Sequence, residues 1–285
     1  MGFLEVIPHL FKFLRLIKQT ITEIIRIQPD VVITIDSPGF CFRVAKAVKD
    51  KIKGKLIHYV APTVWVYKPE RAEKIAKIYD HLLVILPFEP KYFLKEGLDT
   101  TYVGHPAIED LEIQDKKIFR DKYKIPEDNL LICLAPGSRK QEVKRLLPVF
   151  LESIQYLAKK IKQNITIAIP TKEYLKELIK EGVDESLNVI LLDEKDKESL
   201  FSSCDVALTK SGTITTELAF YRMPMVVGYK LNPISHWLLK RIVIAKYATI
   251  VNTLAGKELV PELLQDKCNA MEVGEALYKA SLSNN

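Results

Sequence analysis

The stretch Asp205–Glu217, D-V-A-L-T-K-S-G-T-I-T-T-E, holds residue types suited to gripping a phosphate. Its apolar run Asp205–Thr209 predicts a buried strand, Ser211-Gly212 a tight turn and Thr213 the opening of a helix. A strand that runs straight into a helix N-terminus presents unbonded peptide N–H groups and the positive end of the helix dipole to an anion. Thr213 and Glu217 stand at i and i+4, on one helix face. The carboxylate then lies about 6 Å further along the axis, roughly the step from a nucleotide's phosphates to its ribose diol, for which a carboxylate is an apt acceptor. A capping box does not account for Glu217, because the residue three before it is Ile214. The plain alternative is a surface glutamate favoured by the dipole.

Two further positions carry chemistry. In V-V-I-T-I-D-S-P-G-F the strand Val31–Ile35 ends in Asp36, and Ser37-Pro38 offers an N-cap and a first-turn proline to a helix from about Gly39. Asp36 is thus not needed as a cap and sits at the carboxyl end of a parallel strand, where α/β sheets place ligands. A general base and an Asx-type turn both fit that spacing. In L-L-I-C-L-A-P-G-S-R-K-Q-E-V, strand Leu130–Ala135 and the turn 136–138 lead to a helix starting near Arg139. Cations at a helix N-terminus oppose the dipole, which makes sense where an anion binds; a solvent-facing Arg is the alternative. The cluster Val64, Trp65, Val66, Tyr67, Lys68 and Arg71 suits a sugar or phosphate, or an aromatic core plug with a solvated charge.

The elements that must position these residues follow from composition and order. With 285 residues, 48% of them hydrophobic, the chain can build two cores. Strand-like and helix-like runs alternate, which predicts α/β with mostly parallel sheets. A net charge of +6 favours anionic partners. Nucleic acid fits least, because the cations are interleaved with 36 acidic residues and form no stripe. Cysteines 41, 133, 204 and 268 show no C-x-x-C pairing and read as reduced, space-filling thiols. The five histidines have no ligand spacing, so no metal site is expected. No apolar run reaches the ~18 residues of a bilayer span, and the N-terminus lacks the pattern of a secretion signal.

A helix is expected from about Pro8 to Ile27, its apolar residues mixed with Lys12, Arg15 and Lys18. It fits either contact with an anionic bilayer or a core position. Strands are expected at Leu56–Thr63, His81–Phe88, Thr100–Val103, Ile165–Ile169, Val189–Leu192 and Met225–Tyr229. The polar segment Ala107–Asn129 reads as the inter-domain connection, giving domains 1–107 and 108–285. A basic-aromatic helix is expected over 234–245, a short strand closing at Asn252, and the last helices from Pro261 on. The first half opens on a helix, without the glycine-rich first turn usual in such domains, and reads as a piece of something longer.

The segments D-V-V-I-T-I-D-S-P-G-F, H-Y-V-A-P-T-V-W, L-P-F-E, Y-V-G-H-P, L-A-P-G-S-R, S-G-T-x-T-x-E, P-M-V-V-G-Y-K and N-T-L-A-G-K-E-L-V-P-E-L-L-Q, taken together and in order, resemble the lipid-A-disaccharide synthase family. The resemblance implies two Rossmann-like parallel-sheet domains facing a cleft, of the glycosyltransferase-B type, with the first domain incomplete. It implies an inverting, metal-independent transfer from UDP-2,3-diacylglucosamine to 2,3-diacylglucosamine 1-phosphate, giving the β-1,6 disaccharide of lipid A and UDP. By that likeness Glu217 matches the ribose-binding Glu, and Ser211, Gly212 and Thr213 the diphosphate turn. Arg139 matches an Arg needed for activity, Asn252 a nucleotide-side Asn, and Asp36 the Asp that takes the acceptor's proton. No cofactor is implied. The partners are the two sugar substrates and an anionic membrane surface, with homodimerisation an option, in a cytoplasmic protein peripheral to the inner membrane. The chain departs from the family at Gly39 and Cys41, usually Asp and Asn, and at Ala61, Thr63, Tyr67 and Lys68, usually Ser, Ser, Trp and Arg. It also lacks the family's N-terminal G-E-x-S-G-D strand and last helices. Alternative readings are a non-catalytic remnant that binds nucleotide or membrane, and another UDP-sugar transferase or epimerase.

Overall fold

A computed structural model describes residues 10–232, 237 and 242–282. The chain divides into two compact units, Met1–Pro106 with Arg241–Ala245, and Ala107–Lys240 with Lys246–Asn285.

In the first unit, helix α1 (Leu10–Ile27) precedes β1 (Val31–Ile35), α2 (Pro38–Val48), β2 (Lys55–Tyr59), α3 (Arg71–Ala76), β3 (His81–Val84), α4 (Pro90–Leu94) and β4 (Thr100–Tyr102). The strands form one parallel sheet in the order β1-β2-β3-β4. Its second and third strands end earlier than their apolar runs suggest, with Pro62 and Pro87 in the loops that follow them. One face of the sheet is covered. Leu56, Leu82 and Val84 pack with Val48, Ile75 and Phe93, and Ile21, Ile24 and Ile25 of α1 lie against the same cluster. The other face of β1 is open: Val31, Ile33 and Ile35 are 46, 58 and 61% exposed. The outer side of α1 mixes apolar and basic residues: Phe11 is 86% exposed and Leu14 and Leu16 are exposed, among exposed Lys12, Arg15 and Lys18. The expected start of this helix at Pro8 lies outside the described residues.

The covered face encloses a polar knot. Thr34 and His58 are register partners on β1 and β2. The Thr34 hydroxyl lies 2.8 Å from His58 Nδ1 and 3.0 Å from the Tyr79 hydroxyl. Phe42 meets the imidazole edge-on at 5.0 Å, and His58 Nε2 has no hydrogen-bond partner among the described residues. Burial drives the His58 pKa down to about 4, against an upward pull from the Asp36 charge.

Beyond Thr34 the backbone turns sharply: Asp36 has φ 48° and Ser37 φ 44°. This corrects the expected cap. A capping Ser needs an extended backbone, whereas Ser37 is left-handed and its side chain makes no cap bond. The Ser37 carbonyl instead accepts from Phe40 N and Cys41 N, both at 2.9 Å, and Pro38 opens the helix.

The second unit contains α5 (Lys116–Lys122), β5 (Leu130–Ala135), α6 (Lys140–Ala158), β6 (Ile165–Pro170), α7 (Glu173–Gly182), β7 (Val189–Leu192), α8 (Lys197–Ser203), β8 (Val206–Thr209), α9 (Ile214–Phe220), β9 (Met225–Tyr229), α10 (Ile250–Ala255), β10 (Glu262–Leu264) and α11 (Ala270–Ser281). Its parallel sheet runs β10-β9-β8-β5-β6-β7. All six residues of β5 are buried, as a central strand covered on both faces requires. Phe150, Ile154 and Leu277 pack with Ile132, Leu134 and Leu208, while Phe119, Phe201 and Leu218 pack with Leu131, Cys133 and Ala207. The four cysteines are free and buried.

Three sequence expectations change here, and the segment 107–129, read as the inter-domain connection, is packed into the second unit: Phe119 is fully buried, and the Arg120 guanidinium donates to Asp205 Oδ2 at 2.7 Å and to the carbonyls of Pro126 and Asn129. Asp205 Oδ2 also accepts from Leu131 N, which ties α5 to the ends of β5 and β8. Asn252 lies within helix α10, not at the end of a strand, because Thr249 caps it and Gly256 closes it in the left-handed conformation. Residues after Pro261 add strand β10 beside β9 before the last helix. Finally, much of the expected helix over 234–245 falls outside the described residues. Its end is extended, with Val243 bridging antiparallel to Tyr67 and Ile244 N donating to Val66 O.

A buried His with a lowered pKa stays neutral while the unfolded chain takes up protons, so stability falls as pH drops from about 6.5 toward 4. Urea unfolding is expected to show a loss of about 2 kcal/mol between pH 7.5 and 5 from His58, and His58→Gln is expected to remove that component of the slope.

Candidate functional site

The strand order of the second unit reverses at β5: the chain moves out through β6 and β7, then returns to place β8 on the other side. Ligands of such sheets sit at the carboxyl ends of the strands beside this switch point. A pocket of about 330 Å³ lies there, lined by Gly137, Ser138 and Arg139 after β5, by Thr171 and Lys172 after β6, and by Lys210, Gly212 and Thr213 after β8.

Three of the residues singled out by sequence line this pocket: Arg139, Gly212 and Thr213. The turn between β8 and α9 is pinned by Thr215, which donates through N and Oγ1 to the Gly212 carbonyl. Ser211 is in the same turn, but its hydroxyl donates to the Ala248 carbonyl at 2.5 Å. Glu217 is only 8% exposed, so it is not a surface glutamate. Its Oε2 lies 2.6 Å from Lys197 Nζ, without hydrogen-bond alignment, and Lys197 itself lines the pocket.

Sequence reasoning passed over the residue that organises the loop after β5. Glu142 occupies the first turn of α6 and reaches back, its Oε2 accepting from Ser138 N at 3.1 Å. Its Oε1 accepts from Lys210 Nζ at 2.9 Å and lies 3.6 Å from Arg139 Nη1. The cations at this helix start are therefore balanced by an acid where the dipole favours one. Gly137, at φ 134°, makes room for it: a Cβ there would stand 2.6 Å from Glu142 Oε2. The spacing Ser138-x-x-x-Glu142 and the lysine directly before Ser211-Gly212 were the available signals.

Asn252 does not present its amide to a ligand. It is fully buried, its Nδ2 donates to Val260 O and Glu262 Oε1, and its Oδ1 accepts from Leu259 N and Val260 N. Both donors and both acceptor sites are in use. The residue fixes the loop between α10 and β10.

In the first unit Asp36 is exposed at the strand end, its N donating to Tyr59 O at 2.9 Å. Two successive left-handed residues without glycine cost roughly 1–2 kcal/mol each, the kind of strain that collects at working sites. Nearby loops are tied by Glu89, whose buried carboxylate accepts from Leu86 N and from Trp65 Nε1. Burial raises its pKa, against the pull of those donors. The expected aromatic-basic cluster is partly self-satisfied: Arg71 donates to the Tyr67 hydroxyl and lies over its ring at 4.9 Å. Among the described residues no three His, Cys, Asp or Glu side chains are grouped to hold a metal ion.

The sequence profile of a family described as Lipid-A-disaccharide synthetase matches residues 1–285. The lipid-A-disaccharide synthase of Rickettsia conorii is 44% identical over 98% of this chain, and the chain spans 63% of that protein's length. Those of Rickettsia felis and Rickettsia prowazekii are each 43% identical over 98% and 99% of the chain, which spans 72% and 74% of their lengths. Among solved structures, a UDP-GlcNAc 2-epimerase from Neisseria meningitidis bound to UDP-GlcNAc shares the fold at TM-score 0.60 and 16% identity, covering 94% of this chain and 76% of that one. The UDP-GlcNAc 2-epimerase of Methanocaldococcus jannaschii does so at TM-score 0.57 and 15% identity, covering 93% and 75%.

The hydrogen-bonded role of Asn252 has a measurable consequence. Asn252→Ala is expected to destabilise the second unit by about 3 kcal/mol, through the buried groups it leaves unpaired, and to lower Tm by roughly 6–12 °C in calorimetry.

Proposed function

Because the chain belongs to the lipid-A-disaccharide synthase family, we propose that it is an inverting glycosyltransferase that joins UDP-2,3-diacylglucosamine to 2,3-diacylglucosamine 1-phosphate, releasing UDP. The observation that carries this reading is the convergence of Arg139, Lys210 and the Gly212-Thr213 turn on one pocket at the switch point of the second unit. A departing UDP carries charge that must be met by donors fixed beforehand. A guanidinium, an ammonium and the peptide groups of that turn are suited to the diphosphate without a metal ion. Glu217 would accept from the ribose hydroxyls after exchanging its contact with Lys197.

Asp36 is the proposed general base, taking the proton of the acceptor hydroxyl as it attacks the anomeric carbon. Its exposure and its strained backbone support that role. Glu89 and Trp65 would hold the neighbouring loops in shape for the acceptor.

Acylated substrates reside in a membrane, and α1 offers a means of reaching them. Among the described residues no helix is long and apolar enough to cross a bilayer. Exposed Phe11, Leu14 and Leu16 nevertheless alternate with exposed Lys12, Arg15 and Lys18, a combination that rests an apolar face among acyl chains and cations among anionic headgroups. We place the protein at the cytoplasmic surface of the inner membrane on this reading.

Incubation with both sugar substrates in detergent is expected to yield disaccharide and UDP in equal amounts. Asp36→Ala should lower kcat by about 10²–10⁴-fold and Arg139→Ala by about 10²-fold. Unchanged turnover in either variant removes that residue from its role. UDP binding with no product would favour a nucleotide-binding member without turnover, and epimerised donor with no UDP released would favour an epimerase. In a flotation assay the protein should rise with anionic but not neutral vesicles. Replacing Lys12, Arg15 and Lys18 together by Glu should abolish the difference.

A further inference from the structure

Three groups placed to meet the diphosphate, Arg139 and the Ser138 peptide N–H after β5 and Lys210 after β8, already contact one carboxylate. Glu142 Oε1 is 2.9 Å from Lys210 Nζ and 3.6 Å from Arg139 Nη1, and Oε2 accepts from Ser138 N. The side chains of Glu142 and Lys210 are 15% and 19% exposed, so this pair is sheltered, whereas the Arg139 side chain is 63% exposed. Ser138, Arg139 and Lys210 all line the pocket. An ammonium, a guanidinium and a peptide N–H at a helix start are the donors a phosphate group takes.

We propose that Glu142 is a resident counter-anion of the donor site, standing in for a phosphate of the ligand, and that Lys210 is the cation it hands over when the diphosphate enters. The proposal rests on the nucleotide reading given above. A plain capping glutamate would explain the bond to Ser138 N. It would not explain the lysine brought to the same carboxylate from the end of another strand, nor a glycine at 137 whose Cβ would collide with it. Two further features agree. The Lys210 stem runs beside the turn, its Cε 3.5 Å from where a Gly212 Cβ would stand, so the ammonium is held at the mouth of that turn. The Ser138 carbonyl is anchored separately, accepting from the Tyr174 hydroxyl at 2.5 Å, so the loop keeps an attachment when Glu142 withdraws. The carboxylate neutralises the sheltered Lys210 and stands beside the exposed Arg139, at the cost of competing with the ligand for them.

Competition gives the two partners opposite signs. Titration calorimetry at low salt, with UDP, inorganic pyrophosphate and uridine as probes, tests this. Glu142→Gln, which keeps the shape and removes the charge, is expected to tighten UDP and pyrophosphate about tenfold. Lys210→Met is expected to weaken both about tenfold, and uridine binding should not change in either variant. Should Glu142→Gln fail to fold by thermal melting, Glu142→Asp, whose carboxylate is drawn back by one methylene, is expected to shift affinity in the same direction by less. Wild-type binding of UDP that is unchanged or weakened by removal of the Glu142 charge overturns the inference and leaves the nucleotide reading standing. Pyrophosphate binding with the predicted pattern but no binding of UDP supports the inference and overturns the nucleotide reading. Binding of neither overturns both.

Discussion

A sheet whose strands all run in one direction delivers every carboxyl end to the same edge. In the second unit that constraint gathers Gly137–Arg139, Thr171-Lys172 and Lys210–Thr213, three segments well separated along the chain. It also gathers their charge. Four cations at this edge stand near carboxylates: Arg139 and Lys210 near Glu142, Lys197 near Glu217 and Lys172 near Glu194. The sheltered charges among them, Lys210 with Glu142 and Lys197 with Glu217, need such partners, whereas Arg139 and the Lys172–Glu194 pair are exposed. The edge therefore carries an anionic counterpart to its cations, built from its own side chains.

The first unit faces a different problem, since its parallel sheet has four strands and one uncovered apolar row on β1. Its covered face packs aliphatic side chains with the rings of Phe42 and Tyr79 beside the His58 imidazole, and the strain at Asp36 and Ser37 sits directly after the strand that carries Thr34. The polar knot and the strained turn thus share one strand. Rigid packing below is what holds an unfavourable backbone above it.

Much of this was legible in the residues. The apolar residues of β5 and the run before Lys210 announced strands followed by turns, while the sheet order that brings Arg139, Gly212 and Thr213 to one pocket came from the structure. The failures share a cause. Ile250–Ala255 is too short for periodicity to separate helix from strand, and its decisive signals, Thr249 and Gly256, flank it. Arg120 reads as a surface cation until its partners Asp205, Pro126 and Asn129 are known. Ser37 has the right type for a cap and the wrong backbone. The spacing of Glu217 from Thr213 reads off the sequence, whereas its contact with Lys197 comes from a different helix. Local chemistry was readable; pairings across the sheet were not.

The four thiols give the molecule a set of internal clocks. Cys41 lies in the first unit at 7% exposure, and Cys133, Cys204 and Cys268 are fully enclosed in the second. Burial raises the pKa of Cys41, Cys204 and Cys268, which suppresses the reactive thiolate as well as its access. An alkylating reagent must therefore wait for the surrounding structure to breathe, and the rate at which each sulfur is tagged measures how often its own neighbourhood comes apart. The two halves can be timed separately in one tube, without an introduced probe.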